Sequence, residues 1–296
     1  MNIVLCADEH YAMPCGICIT SILENNRDCS CQIYVLTNGF SDKTKSLFIQ
    51  LQEKYNQPIN IVDIDSSIFK GLKVSERFRE SIYYRFFIPD IVQGEKALYL
   101  DSDIIVNGSL RELWNIDLSD YACAVIEDQC GDDIRLHNRI EVYSAYFNSG
   151  VILMNLEYWR ENSIKERLID FIYNNPERCL YPDQDALNVV LADKVFFADY
   201  KFNFQDLMNS DEGDLMLHRS KWAKIQEAKK NPTVIHYTSW TKPWHLHYSG
   251  FFKDVFLYYK SLSPWNLTKL ENKGPKLSEK ICFQIRRVIK LLSFNS

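Results

Sequence analysis

The chain has 296 residues, of which 46% are hydrophobic, so it is long enough for one large α/β domain or one domain with a small addition. Its net charge of −5 argues against general nucleic-acid binding, which needs a basic surface. The N-terminus has no basic segment before an apolar run, and no stretch approaches the roughly 18 apolar residues of a membrane span. We therefore predict neither a secretory signal nor a membrane-spanning helix.

The nine cysteines are an odd number, which in a chain without a secretory signal is typical of reduced thiols in a cytoplasmic protein. Cys15 and Cys18 have the spacing of a zinc motif. However, they lie in a predicted helix, where this spacing faces the core, and no second pair of ligands completes a zinc site. We expect a cytoplasmic protein without structural zinc.

Short apolar segments alternate with helical patterns along the first half of the chain. Predicted strands span residues 3–7, 32–37, 59–64, 96–100, 122–126 and 151–155. Residues 41–55 form a predicted helix with Ser41 as its N-cap, and residues 157–173 form another. This alternation indicates a mostly parallel sheet covered on both faces, with ligands beyond the carboxyl ends of its strands.

The composition changes after Trp244. Residues 251–263 are rich in aromatic side chains, residues 270–275 have the composition of a linker, and residues 276–296 are basic and amphipathic. On a helical wheel the apolar residues Leu277, Ile281, Ile285, Val288, Ile289 and Leu292 lie opposite Lys280, Arg286, Arg287 and Lys290. This pattern predicts a helix that either packs on its own domain or rests on anionic lipid.

Two carboxylates, Asp101 and Asp103, follow the predicted strand at 96–100. Residues i and i+2 share one side of an extended chain, so both can approach a divalent cation that offsets charge on a diphosphate leaving group. A solvated turn gives the same pattern. His236 also follows an apolar segment, and Lys242 lies close behind it. A third ligand from this imidazole and a phosphate contact from the lysine make a coherent diphosphate site, although a lone histidine is more often structural.

Together these segments resemble the family 8 retaining glycosyltransferases, which include bacterial lipooligosaccharide α-galactosyltransferases and glycogenin. The matching segments lie within residues 1–247: Ala7-Asp8 with Tyr11, Tyr84-Arg85, residues 98–103, Phe147–Asn155, residues 183–185, Phe202-Asn203, and His236-Tyr237 with Lys242-Pro243-Trp244. Residues 251–265 resemble an extension of lipopolysaccharide outer-core members. The resemblance implies an α/β GT-A fold over residues 1–247, with a Rossmann-like mixed sheet flanked by helices. Residues 248–296 would form a small helical C-terminal extension.

The resemblance also implies a role for individual residues. Asp101, Asp103 and His236 would bind Mn²⁺, with Mg²⁺ as the alternative. The UDP-sugar would contact Ala7, Asp8 and Tyr11 at uracil, Lys242 at a phosphate with Ser102 and Ser239 nearby, and Asn148 and Ser149 at the sugar. Arg85 would either touch the donor sugar or hold the loop around it. Asp183 would bind sugar hydroxyls, and Gln184 would lie near the anomeric carbon. Asp185 would either belong to the catalytic group or cap a helix that starts at Ala186.

A neutral amide at Gln184 is a poor nucleophile, whereas a retaining double displacement needs a carboxylate. We therefore predict a front-face reaction, in which a leaving phosphate oxygen takes the acceptor proton. Glu127 and Asp128 both follow the strand at 122–126, and the sequence does not distinguish which of them faces the acceptor. Trp240 lies in a loop where the family often has a glycine, so the loop geometry is open.

The expected reaction moves galactose or glucose from a UDP-sugar to a saccharide or glycolipid, such as lipopolysaccharide core or another bacterial surface glycan. We expect no nucleic-acid partner and a weak contact of residues 276–296 with the inner face of the cell membrane. A glycogenin-like self-glucosylating enzyme is the alternative within the class. A haloacid-dehalogenase-type phosphohydrolase is disfavoured because its DxD normally lies in the first strand. A non-catalytic sugar-binding protein is disfavoured because the metal residues and Lys242 are present.

Overall fold

The computed structural model describes residues 1–69, 71–72, 79–209 and 219–273. Its ten strands are β1 (Asn2–Cys6), β2 (Gln32–Thr37), β3 (Ile59–Asp63), β4 (Lys96–Leu100), β5 (Ile104–Val106), β6 (Cys123–Glu127), β7 (Phe147–Asn155), β8 (Val195–Phe197), β9 (Phe204–Gln205) and β10 (Val234–His236). Seven of them form a central sheet in the order β3-β2-β1-β4-β7-β6-β8, and β5-β10-β9 form a small second sheet.

The central sheet is mixed. Strands β1 to β4 pair in parallel, and β8 is parallel to β6, whereas β7 runs antiparallel to both β4 and β6. The predicted α/β class with a mixed, mainly parallel sheet is confirmed. In the small sheet β10 is antiparallel to β5 and parallel to β9.

The helices are α1 (Ala12–Asn25), α2 (Asp42–Tyr55), α3 (Ile88–Ile91), α4 (Arg111–Trp114), α5 (Ile134–Ile140), α6 (Leu156–Glu161), α7 (Ile164–Asn174), α8 (Pro182–Val190), α9 (Trp222–Lys230) and α10 (Lys253–Leu262), with several 3₁₀ turns, the longest at Glu80–Phe87. Alternate residues of β1 serve opposite faces of the sheet. Ile3 and Leu5 belong to the core with α1 and α2, whereas Val4 belongs to the core with α6 to α8.

Two helix predictions have different outcomes. Ser41 caps α2 as predicted, since its hydroxyl accepts a hydrogen bond from the Thr44 amide. The single helix predicted at 157–173 is wrong, because α6 and α7 are separated at Ser163. The backbone there is left-handed, with a φ of 49°, which a continuous right-handed helix cannot contain.

The described part of the C-terminal extension packs against helices α1 and α2. Helix α10 contacts α1, and the buried Trp265 lies edge-on to Phe48 with ring centroids 5.1 Å apart. A Cβ on Gly16 would stand 2.0 Å from the Trp265 ring, so this close approach needs a glycine. The domain boundary at 247 stays a prediction, and the tail at 276–296 lies outside the described residues. Within the described ranges, no helix is both long and apolar enough to cross a membrane.

Candidate active site

Asp101 and Asp103 follow β4 at the carboxyl edge of the central sheet. The Asp101 amide donates to the Gly150 carbonyl at 2.8 Å, so the first carboxylate extends from backbone that is still tied to β7. Between the two acids, the Ser102 hydroxyl donates to the Cys6 carbonyl at 2.8 Å, which ties this turn to β1. The backbone under both carboxylates is therefore held from two sides.

His236 ends β10 and lies opposite Ile104 in the small sheet, which brings it to the same edge. Its Nε2 atom is 3.6 Å from Asp101 Oδ2 and 3.2 Å from Asp103 Oδ1. Ligand atoms from the three side chains all lie within 4.8 Å of one another. Two carboxylates and one imidazole form a donor set that suits a divalent cation such as Mn²⁺, Mg²⁺ or Zn²⁺, so these residues fit a metal.

The charges in this cluster are strongly coupled. Burial alone would raise the pKa of Asp103, but the Lys242 ammonium 2.7 Å away and His236 outweigh it and hold that pKa well below its usual range. Burial would lower the pKa of His236, yet the Asp103 carboxylate outweighs it and raises that pKa. Asp103 is therefore anionic at neutral pH.

Arg85 joins the metal carboxylates to the predicted sugar carboxylate. It is 3% exposed, with Nη2 3.0 Å from Asp101 Oδ1 and Nη1 3.1 Å from Asp183 Oδ2. Nη1 also donates to the Ser149 carbonyl at 2.8 Å, and the guanidinium lies over the Tyr99 ring at 4.3 Å. A buried guanidinium of this kind fixes both acids in place, which matches the predicted holding role of Arg85 more closely than direct exposure to a sugar.

Helix α8 begins at Pro182, four residues before the predicted start at Ala186. Proline is favoured in the first turn of a helix, because its missing N–H has no intrahelical partner there. Asp183, Gln184 and Asp185 therefore lie within the first turn of the helix. Asp183 and Gln184 face Ser149 on β7, and the Ser149 hydroxyl donates to Asp183 Oδ2 at 3.0 Å.

Asp185 faces away from these two side chains. It is fully buried and accepts hydrogen bonds from the Tyr181 amide at 2.8 Å and the Tyr146 hydroxyl at 2.7 Å. Arg139 pairs with both of its carboxylate oxygens, at 2.5 and 3.1 Å. The prediction that Asp185 caps a helix starting at Ala186 is therefore wrong, because Asp185 lies inside α8, where both of its oxygens anchor the start of that helix.

The Gln184 amide is held from both ends. Its Oε1 accepts from Asn148 Nδ2 at 3.1 Å and from the Ser149 amide at 3.0 Å. Its Nε2 donates to Asp128 Oδ2 at 3.2 Å and to the Tyr146 hydroxyl at 3.1 Å. Burial raises the pKa of Asp128 despite the hydrogen bonds that it accepts.

The structure separates Glu127 from Asp128, which the sequence left undistinguished. Asp128 contacts Gln184 and Asn148 inside the site. Glu127 instead accepts from the Tyr200 hydroxyl and pairs with Lys221. Asp128 is therefore the carboxylate beside the predicted sugar residues.

At the end of β1, Asp8 accepts hydrogen bonds from two backbone amides of the following turn, including that of Tyr11 at 3.0 Å. Its second oxygen lies 3.0 Å from Nη1 of Arg79. The Tyr11 ring packs edge-on against Trp244 at 5.6 Å, and Ala7 is buried. This turn lies at the same sheet edge as the metal cluster, and the contact of these residues with uracil stays a prediction.

The loop after His236 carries Lys242 back to the cluster. The Lys242 ammonium contacts Asp103 Oδ2 at 2.7 Å, and the Ser239 amide donates to Asp206 Oδ2 at 2.7 Å. In the same loop Trp240 is 48% exposed. The predicted phosphate-binding lysine therefore lies beside a metal carboxylate.

Sequence reasoning assigned no role to Asn203, Tyr146, Arg139 or Asp206. Asn203 lies in the matching segment Phe202-Asn203, so the motif contained a signal for it. The other three lie outside the motifs, and their contacts join residues far apart in the chain. Their importance is visible only once the strands are assembled.

The family model described as glycosyl transferase family 8 matches residues 2–247. General stress protein A of Bacillus subtilis is 29% identical, over 90% of this chain and 95% of that protein. Lipopolysaccharide glucosyltransferase WaaO of Escherichia coli is 31% identical, over 98% of this chain and 86% of that protein. Among solved structures, the galactosyltransferase LgtC in complex with donor and acceptor sugar analogues gives a TM-score of 0.81 at 24% identity, covering 93% of this chain and 98% of that chain.

Proposed function

This chain belongs to glycosyl transferase family 8, and we propose that it moves a hexose from a UDP-sugar to a saccharide acceptor with retention of configuration. One observation carries the proposal. The Arg85 guanidinium contacts both Asp101 and Asp183. On the Asp101 side, the cluster with Asp103 and His236, together with a nearby lysine, suits a diphosphate. On the other side, the buried Asp183 carboxylate and the neighbouring glutamine amide suit a sugar. Nucleotide and hexose can therefore be held at the two ends of a single site.

We propose Mn²⁺ as the cation, held by Asp101, Asp103 and His236. When bound, a divalent cation supplies a Lewis acid that offsets negative charge on the departing diphosphate. Lys242 lies against Asp103, so its ammonium is placed to pair with a phosphate oxygen on the same side. Burial lowers the local dielectric, which strengthens each of these charge interactions.

We propose a front-face reaction at the sugar. Gln184 supplies a neutral amide, and the carboxylates beside it in α8 are engaged elsewhere, Asp183 with Arg85 and Asp185 with Arg139. A double displacement needs a free carboxylate as the nucleophile. Because α8 offers none, we propose that an oxocarbenium-like sugar is attacked from the face that the diphosphate leaves, and that a phosphate oxygen takes the proton of the acceptor hydroxyl.

Asp128 is the side chain that we propose to contact the acceptor. It lies next to Gln184 and Asn148, whereas Glu127 is bound to Tyr200 and Lys221. A buried carboxylate with a hydrogen bond to Gln184 is positioned to accept a hydrogen bond from a second hydroxyl of the acceptor, which leaves the proton of the attacking hydroxyl to the phosphate oxygen. Several similar proteins are named for lipopolysaccharide transfer, so we propose lipopolysaccharide core or another bacterial surface glycan as the acceptor.

An amphiphilic acceptor implies a location near lipid. We propose that the protein works in the cytoplasm at the inner face of the cell membrane, with residues 276–296 as a weak peripheral contact. These residues carry five basic side chains against one acid, Glu279. Each basic residue near an anionic surface contributes about 1 kcal/mol, which gives reversible, salt-sensitive binding.

A UDP-release screen tests the proposal. Purified protein is incubated with Mn²⁺ and UDP-galactose, UDP-glucose or UDP-N-acetylglucosamine, with and without a panel of hexose-terminated oligosaccharides. We expect acceptor-dependent UDP release with one hexose donor, and an α-linked product by NMR. A β-linked product would contradict retention, and phosphate release from simple esters without UDP-sugar turnover would indicate a phosphohydrolase.

A further inference from the structure

We infer that Asn203 is a positioning residue that holds the His236 imidazole in the tautomer with its proton on Nδ1, so that Nε2 is bare and faces the two aspartates. The inference rests on the proposed cation site and adds a residue that binds neither cation nor substrate. It starts from a hydrogen-bonded chain that joins His236 to Asn203, Asn148 and Gln184, with spacings of 2.9, 2.9 and 3.1 Å.

Backbone amides set the direction of this chain. The oxygen and nitrogen of an amide side chain exchange places when the group is rotated by 180°, so their assignment needs a fixed partner. A backbone N–H group only donates, so the side-chain atom that it contacts must be the oxygen. The Gly150 N–H donates to one end of Asn148 at 3.0 Å, so that end is Oδ1 and the other end is the NH₂ group. The Ser149 N–H independently donates to Gln184 at 3.0 Å, so the end of Gln184 that faces Asn148 is an oxygen. Both fixed donors require the same orientation of Asn148.

The orientation of Asn203 then follows. It meets Asn148 at Oδ1, so the end of Asn203 that lies there must be its NH₂ group, at 2.9 Å. Its carbonyl Oδ1 is left facing His236 Nδ1, also at 2.9 Å. A carbonyl oxygen only accepts, so Nδ1 must carry the proton, and in a neutral imidazole Nε2 then carries a lone pair.

Burial makes this arrangement durable. Asn203 is fully buried, and His236 and Asn148 are 3% and 8% exposed, so bulk water does not replace the partner of either ring nitrogen. Nε2 lies 3.6 Å from Asp101 and 3.2 Å from Asp103, so in the neutral ring its lone pair faces the place where a divalent cation is proposed. Loss of a hydrogen-bond partner behind a ligating histidine typically costs 10- to 100-fold in metal affinity.

Mn²⁺ affinity, measured by electron paramagnetic resonance of free Mn²⁺, tests the inference in three variants. Asn203→Leu removes the acceptor and should bind about 10- to 100-fold more weakly. Asn203→Asp keeps an acceptor opposite Nδ1 and should bind Mn²⁺ more tightly than Asn203→Leu, even though its second oxygen meets Asn148 Oδ1 where the wild type has an NH₂ group. Asn26→Leu is the matched control. Asn26 is also a buried asparagine, held by the Leu110 amide and the Ile22 carbonyl, so its loss should affect stability but not Mn²⁺ binding.

Wild-type protein without metal gives a second readout that needs no variant of Asn203. In ¹⁵N-histidine NMR, the His236 signal, identified by its absence in His236→Gln, should show a protonated Nδ1, whether or not Nε2 also carries a proton beside the aspartates. An Nδ1 without a proton, or equal Mn²⁺ affinity in folded Asn203→Leu and Asn203→Asp, would overturn the inference. If the wild type binds no Mn²⁺, the proposed cation site fails, and the NMR signal alone decides how His236 is positioned.

Discussion

Replacing Gly150 with alanine tests how tightly the metal cluster is packed against β7. A Cβ at this position would stand 2.2 Å from His236 Cε1 and 2.8 Å from both His236 Nδ1 and Asp101 Oδ2. Ordinary contact begins near 3.4 Å, so the imidazole would have to move by about 1.2 Å. Metal–ligand distances tolerate about 0.2 Å, so such a shift takes Nε2 out of range of the cation.

The imidazole has little freedom to yield, because His236 is buried and hydrogen-bonded to Asn203. Overpacking of this kind costs about 1–3 kcal/mol of unfolding free energy. We also expect Mn²⁺ affinity to fall at least tenfold, which corresponds to about 1.4 kcal/mol of binding free energy.

Calorimetric Mn²⁺ titration and thermal unfolding measure the two effects separately. Gly108→Ala is the matched control, since its Cβ would first meet Thr233 at 3.4 Å and neither glycine has a positive φ. We expect the control to bind Mn²⁺ as the wild type does. Wild-type Mn²⁺ affinity in Gly150→Ala would refute the packing argument and remove His236 from the proposed ligand set.

Four further outcomes are expected. Asp103→Asn, or excess chelator, should abolish Mn²⁺-dependent UDP binding measured by calorimetry, and retained binding would contradict the ligand assignment. Gln184→Ala should slow transfer about 100-fold, or about 2.7 kcal/mol of barrier, with an unchanged product anomer, whereas a covalent sugar adduct trapped on this helix turn would favour double displacement. Burial opposes a low pKa for Glu9, but hydrogen bonds from Thr44 and Ser41 outweigh it and lower that pKa. The ionised Glu9 should therefore stabilise the fold fully above about pH 4.3, and this stabilisation should be lost as the pH falls through the lowered pKa. In acid unfolding followed by circular dichroism, Glu9→Gln should lack this pH-dependent loss of stability. A chain ending at Asn272 should keep transfer to a soluble acceptor and lose low-salt sedimentation with anionic vesicles, and equal sedimentation of both chains would make the tail a structural helix.

Much of the fold could be predicted from the sequence because its strands are short apolar segments with a polar residue at the carboxyl end. β2 and β4 have the predicted bounds, and Asp101 and Asp103 lie at the carboxyl edge of the sheet as predicted. The helix errors have local causes that the apolar pattern does not contain. Ser163 interrupts an otherwise regular pattern with one left-handed residue, and Pro182 starts α8 earlier than the apolar residues indicate.

The contacts between side chains could be predicted less well from the sequence. Arg85 was predicted to touch the sugar or hold its surroundings, and only the structure identifies its two carboxylate partners, which lie 16 and 98 positions further along the chain. The orientation of the side-chain amides behind His236 depends on the backbone N–H groups of Gly150 and Ser149, which no residue pattern records. Sequence motifs identify side chains with suitable chemistry, and the folded backbone determines which of their atoms face the site.

The pairing of β10 with β5 has a consequence for how the protein is made. His236 is placed beside Ile104 by a strand that leaves the ribosome long after β4 and β5 have done so. Throughout that interval the nascent chain presents Asp101 and Asp103 without their imidazole partner or the Lys242 ammonium. During synthesis the two acids therefore lack the third residue of the proposed cation site until the chain has emerged as far as His236.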